Sequence, residues 1–167
     1  MTLDLGQRYA EKIIAELSPM CERIEVAGSI RRQRPQVGDI DLVILPKPGQ
    51  QRAIRTRCLA SGPVVLADGK QNVRIKLTTG VQVELYFAIH GDGDFFRKQP
   101  CTWGTLLLCR TGSKEFNIWF ARCALAAGWH WNPYIGLWRS GHGIAAEEAD
   151  LFKALALDYI EPEARER

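Results

Sequence analysis

The sequence predicts an α+β fold, and three stretches carry that expectation. Around Asp39 and Asp41, the segment Val37-Gly38-Asp39-Ile40-Asp41-Leu42-Val43-Ile44 alternates apolar and polar side chains as a half-buried strand does. Two more strand-like runs, residues 72–77 and 81–88, meet across Thr79-Gly80 as a hairpin. Residues 114–127 repeat apolar side chains at helical spacing, with Phe116, Trp119, Phe120, Cys123, Ala124 and Ala127 on one stripe.

The other elements follow in chain order. Residues 5–17 form an amphipathic helix with Tyr9, Ile13 and Leu17 on one face, and Ser18-Pro19 ends it, since the residue before a proline is pushed out of helical conformation. A strand at 24–27 leads to Gly28-Ser29, where a short helix starts. The Asp39/Asp41 strand closes at Pro46-Lys47-Pro48-Gly49, a loop by composition. A helix at 51–60 precedes Ser61-Gly62-Pro63, a short strand follows at 64–66, and residues 90–94 read as a polar, glycine-bearing loop. A distinct C-terminal part starts near Trp103-Gly104, with the apolar run Leu106-Leu107-Leu108 broken by Thr111-Gly112-Ser113. Thr111 or Ser113 caps the helix at 114–127, Glu115 suits its first turn, and Gly128 stops it.

At 167 residues and 46% hydrophobic content, the chain can bury a core as one domain or two packed lobes. No apolar run approaches the roughly 18 residues of a membrane span, and the first residues lack the pattern of a secretory signal. A cytoplasmic protein, or one in a nucleoid or viral context, is expected. Five cysteines, an odd number with no C-x-x-C pair, point to reduced thiols in preference to a disulfide framework or a zinc site. The net charge of +3 permits a nucleic-acid partner without requiring one. Arg52, Arg55 and Arg57 read equally well as a solvated helix face.

Positions two apart on a strand face the same way, so Asp39 and Asp41 project together. Two carboxylates that close repel unless a cation lies between them, and a hard divalent ion pairs such ligands with substrate phosphates. Upstream, Gly28-Ser29 offers close backbone approach, N–H groups and a hydroxyl to a triphosphate, and Arg32 lies near enough to hold phosphate oxygens bidentately. On the hairpin, Val81, Val83, Leu85 and Phe87 share one face while Gln82, Glu84 and Tyr86 share the other. Glu84 then completes a two-ion site, as ligand or as proton acceptor, unless that face is simply exposed. This combination points to nucleotidyl transfer.

These segments resemble the family X DNA polymerases. The resemblance rests on Gly28-Ser29-x-Arg31-Arg32, Gly38-Asp39-Ile40-Asp41, Val83-Glu84-Leu85-Tyr86-Phe87-Ala88, Trp103-Gly104 and Thr111-Gly112-Ser113-Lys114-Glu115-Phe116-Asn117. The tail Leu157-Asp158-Tyr159-Ile160-Glu161-Pro162-Glu163-x-Arg165 also matches the family's closing segment, so the resemblance spans about residues 13–165. It implies a nucleotidyltransferase-type palm with a mixed sheet flanked by helices over residues 1–100, and a small α/β nucleotide-selecting subdomain over 101–167. The form expected is minimal, without helix-hairpin-helix or lyase domain.

By match of motif, Gly28, Ser29 and Arg32 hold the triphosphate, Asp39, Asp41 and Glu84 bind two Mg²⁺ ions for which Mn²⁺ can substitute, and Gly112, Ser113 and Asn117 contact the incoming nucleotide. Arg74, Lys76 and Arg122 are assigned to DNA. The implied activity is template-directed extension of a primer in short-gap repair, by a monomer whose partners are primer–template or gapped DNA and nucleoside triphosphates, with no membrane.

The chain departs from the family at three places. Glu84 stands where Asp is usual, and a displacement of about 1 Å near reacting atoms can cost on the order of 100-fold in rate. Cys109-Arg110 replaces the aromatic pair that crowds the sugar's 2′-position, and Arg110 is expected to turn toward solvent or phosphate. Ala121 stands where an Arg touches the template, with Arg122 about 100° around the helix. Two other readings use the same residues: a nucleotidyltransferase acting without template on RNA, protein or a small molecule, and a non-catalytic DNA-binding remnant. Extension that follows template sequence separates the first, and metal-dependent incorporation eliminates the second.

Overall fold

The computed structural model describes residues 1–60, 62–91, 101–139, 142–144 and 147–166, with backbone alone for His142 and Ile144. Contacts divide it into two units, Met1–Phe87 and Ala88–Arg167. Ser61 and most of the polar loop expected at 90–94 lie outside the described residues.

The first unit opens with α1 (Leu3–Leu17), which buries Gly6, Ala10 and Leu17 and is followed by the short 3₁₀ turn Ser18–Met20 with its proline. β1 (Cys21–Val26) leads into the single helical turn α2 (Gly28–Arg31). Next come β2 (Ile40–Pro46), α3 (Gln51–Leu59), β3 (Val64–Asp68), β4 (Asn72–Lys76) and β5 (Gln82–Phe87). The five strands form a mixed sheet in the order β1-β2-β5-β4-β3. Only the β2–β5 pair is parallel.

One face of this sheet supplies the core. Ile40, Leu42 and Ile44 from β2, Val73 and Ile75 from β4, and Val83, Leu85 and Phe87 from β5 cluster with Ala10 and Leu17 of α1 and Ile54 of α3. The period-2 alternation therefore has its physical outlet: the helices cover the apolar face, and alternate residues are left for the opposite face. On α3, Arg55 pairs with Asp68, donates to the Gly69 and Lys70 carbonyls and lies 4.8 Å from the Phe87 ring centroid, while Arg57 pairs with Glu16. These two arginines tie α3 to its neighbours instead of forming a plain solvated face.

Asp39 lies in a bend one residue ahead of β2, because pairing with β5 begins only at Ile40 opposite Val83. The expected strand at 64–66 runs on to Asp68, and β1 starts earlier than expected, at Cys21, which pairs with Pro46.

The second unit contains α4 (Trp103–Thr111), α5 (Lys114–Ala126), the antiparallel strands β6 (His130–Asn132), β7 (Gly136–Arg139) and β8 (His142–Ile144), and α6 (Glu148–Ala154). The run Leu106-Leu107-Leu108 belongs to α4, which is buried on nearly every side and so shows no amphipathic period. A Cβ on Gly104 would lie 2.3 Å from the Glu147 carbonyl carbon, so the lack of a side chain lets the start of α6 approach α4. Ser113 caps α5 by accepting from the Phe116 N–H, and Gly128 stops it at φ +76°.

On α5, Phe116, Phe120 and Ala124 are buried, but Ala127 falls after the helix and is exposed. Phe120 packs against Trp131 and Phe152 with ring centroids 5.1 and 5.5 Å apart. Phe120→Ala is expected to cost about 3–5 kcal/mol, since the cavity lies among rings too rigid to close it. Urea denaturation followed by tryptophan fluorescence measures the loss.

Candidate active site

The parallel register sets the first unit's site. Asp41 on β2 stands level with Glu84 on β5, and Glu84 stands level with Arg74 on the antiparallel neighbour β4. Cross-strand partners face the same side of a sheet, so an acid, an acid and a guanidinium line up across three strands. Asp39 joins them from the bend, 3.5 Å from Gln82 Nε2.

Gly28 determines how closely the turn approaches. It sits at φ +57°, and a Cβ there would lie 1.9 Å from Asp41 Oδ2, so only glycine leaves room for that carboxylate. The Ala27 N–H donates to the Asp41 carbonyl at 2.8 Å, tying the turn to β2. Beside it, the Ser29 hydroxyl is buried and has no hydrogen-bond partner among the described residues. An unsatisfied buried hydroxyl is costly, and a phosphate oxygen is the kind of group that satisfies it. Arg32 is half-buried and follows α2 directly.

Glu84 is 5% exposed, which settles its face as a buried one. Its carboxylate takes Arg74 Nε at 2.5 Å and Gln82 Nε2 at 3.1 Å on one oxygen, and the Tyr86 hydroxyl on the other. Burial and the Glu84 charge push the Asp39 carboxyl above its ordinary value, while Arg74 partly offsets the rise. The bond and charge from Glu84 in turn hold the Arg74 proton more tightly. Among the described residues no three His, Cys, Asp or Glu side chains converge closely enough to hold an ion unaided. Arg74, assigned to DNA, is engaged with Glu84, whereas Lys76 and Arg122 are exposed.

The second unit holds the remaining residues of the motif. Gly112 adopts φ +72°, and its peptide bond to Ser113 is cis. Ser113 is buried at the head of α5. Asn117 Nδ2 donates to the Cys109 carbonyl at 2.8 Å, which leaves Asn117 Oδ1 buried without a partner among the described residues. Arg110, expected to turn toward solvent or phosphate, instead bonds the Tyr134 hydroxyl and lies 5.5 Å from that ring's centroid. A guanidinium stacks readily on an aromatic face, and Tyr134 offers one on the β6–β7 turn.

Sequence reasoning missed the roles of Gln82, Tyr86 and Arg74 around Glu84. The signal was present in the hairpin: Gln82 and Tyr86 flank Glu84 at i±2, and the turn at Thr79-Gly80 sets Arg74 opposite it. Asp39's raised value means that its ionisation opposes folding, so its contribution to stability is full below the ordinary value of 3.8 and is lost as pH rises through the folded value. Glu84→Gln removes the repelling charge and is expected to lower the Asp39 value in metal-free protein, while Arg74→Ala is expected to raise it. Carboxyl NMR titration of the two variants checks both signs.

The family model described as DNA polymerase beta thumb matches residues 106–166. No curated protein matches by sequence. Among solved structures, polymerase beta of Leishmania infantum is similar in a ternary gap complex, at 18% identity and a TM-score of 0.77, over 100% of this chain and 71% of that one. The same enzyme in a ternary P/T complex gives the same identity and TM-score, over 100% of this chain and 77% of that one. The chain therefore has a polymerase beta-like fold along its length, and residues 106–166 of its second unit match the polymerase beta thumb model.

Proposed function

We propose that this chain is a template-directed DNA polymerase, moving a nucleotide from a deoxynucleoside triphosphate to a primer 3′-hydroxyl in short-gap repair. The observation that carries this reading is Asp41 pressed against Gly28, with the Ser29 hydroxyl next in the chain unpartnered among the described residues and the Asp39 carboxyl raised by burial and the Glu84 charge. A carboxylate pair next to an unsatisfied hydroxyl suits a magnesium triphosphate: cation for the acids, phosphate oxygen for the hydroxyl. Support for DNA as partner comes from the polymerase beta neighbours, which are ternary gap and P/T complexes.

The residues fit Mg²⁺ or Mn²⁺ through Asp39 and Asp41, with phosphate and water oxygens supplying the other positions. When bound, such ions stabilise the entering and leaving oxygens of in-line displacement at the α-phosphate. Ser29 donates to a phosphate oxygen, and Arg32 pairs with the triphosphate charge. Glu84 accepts the primer hydroxyl's proton, for which its carboxylate must exchange a present partner, such as Arg74, for that hydroxyl. By their match to the family's motif, Gly112 and Asn117 are assigned to the sugar and base.

The engagement of both Glu84 oxygens favours a second reading, a DNA-binding protein without catalysis. Primer extension on gapped and open templates, with each nucleotide supplied singly, tests both. Incorporation that follows the template supports the polymerase. Untemplated incorporation sinks it, and metal-independent silence leaves the DNA-binding reading.

Asp39→Ala and Asp41→Ala are each expected to lower the incorporation rate by several orders of magnitude, about 10³-fold or more, with folding retained. Single-turnover extension measures this, and near-normal extension by either variant sinks the assignment.

Discrimination against ribonucleotides is expected to be poor. Cys109 is small, and Arg110 is held away on Tyr134, so the aromatic wall at the 2′-position is missing. Competing the two nucleotide classes on one template decides it: the expected preference is below about 1,000-fold, some 4 kcal/mol in transition-state terms. A larger preference would place the gate in the Cys109 backbone carbonyl, which Asn117 fixes.

A further inference from the structure

Residues 157–165 of the second unit are tightly held. Arg165 is fully buried, and its guanidinium donates to Glu148 Oε1 at 2.6 Å and to the Ile160 carbonyl at 2.9 Å. The rings of Phe116, Tyr159 and Phe152 enclose it at 5.1, 5.4 and 5.5 Å to their centroids. Tyr159 in turn donates its hydroxyl to the other Glu148 oxygen at 2.8 Å. A buried arginine needs its charge matched, which Glu148 does, while Nη2 is buried without a hydrogen-bond partner among the described residues.

What the cage holds still is the Arg165 backbone. Its carbonyl accepts from the Ser113 hydroxyl at 2.9 Å and from the Ser113 N–H at 3.3 Å. The single hydroxyl hydrogen of Ser113 is thereby committed to Arg165, and its lone pair to the Phe116 N–H. The Asn117 N–H then bonds the Ser113 carbonyl at 2.9 Å, and Asn117 Nδ2 reaches back to Cys109. Because Nδ2 must face that carbonyl, Oδ1 is the atom left buried and, among the described residues, unpartnered, an acceptor able to take a donor.

We propose that Arg165, caged by Glu148 and the three rings, is a positioning residue that sets the Gly112–Ser113 turn and aims Asn117 Oδ1 at a donor on the incoming nucleotide. The inference rests on the reading of this segment as nucleotide-selecting. Lysine at 165 keeps the charge but cannot serve Glu148 and Ile160 from a rigid fork, so the Arg165 carbonyl shifts and Ser113 with it.

The test uses the full chain with Arg165→Lys and Tyr159→Phe, the second removing only the hydroxyl bond to Glu148. Thermal melts establish folding, single-nucleotide incorporation on a gapped template gives kcat and KM, and the Asn117 side-chain amide signal is followed by NMR. Arg165→Lys is expected to raise KM for the nucleotide about 10-fold, to weaken selection of the correct base, and to leave kcat within about threefold. Tyr159→Phe moves KM in the same direction by less, and the Asn117 signal shifts in both variants.

Folded Arg165→Lys with KM and base selection within about twofold of the parent, or with kcat falling at unchanged KM, overturns the proposal. If Arg165→Lys fails to fold, Tyr159→Phe is judged by the direction of its KM and amide shifts, and no change in either overturns it. A parent protein that incorporates nothing on any template defeats the polymerase reading instead; an unshifted Asn117 signal in the variants then also rules out the clamp.

Discussion

The parallel pairing of β2 with β5 is the constraint from which the first unit's site follows. Parallel partners present their side chains to the same face, so placing Asp41 opposite Glu84 brings the two acids to one level of the sheet. The neighbouring residues Ile40, Leu42, Val83 and Leu85 enter the core beneath α1 and α3. A slip of one residue would exchange the two sets, burying carboxylates among aliphatic side chains and exposing the core. The apolar face therefore sets the register, and the register places the acids.

The acids are balanced from within the sheet. Glu84 is nearly inaccessible, and a buried carboxylate needs partners; β4 supplies Arg74 at the paired position, and Gln82 and Tyr86 close the remaining sites. For Asp39, burial and the Glu84 charge outweigh the attraction of Arg74. The imbalance falls where the sequence places its carboxylate pair, beside a glycine turn that admits no side chain.

The second unit solves a different problem. Its core is aromatic, with Phe116, Phe120, Trp131 and Phe152 in ring contact, and its tail closes over that core through Arg165. The tail and the head of α5 lie 52 residues apart in sequence, yet one hydroxyl joins them. Local capping and long-range closure thus meet at Ser113.

Much of this was legible in the residues themselves. Period-2 alternation located β2, β4 and β5, helical spacing and capping located α5, and the resemblance of motifs named the fold. Ala127 and Leu106-Leu107-Leu108 escaped, the first because periodicity does not see where a helix stops packing, the second because a helix buried on all sides has no polar face to reveal its period. The three-stranded β6–β8 sheet also escaped, its strands being too short for alternation to register. Only the tertiary structure decided which partner each side chain took: Arg74 on Glu84, Arg110 on Tyr134, Arg165 within its ring cage. Sequence spacing determines the direction a side chain leaves the backbone, but a long charged side chain chooses among every group within reach, and that choice exists only once the strands and helices are packed.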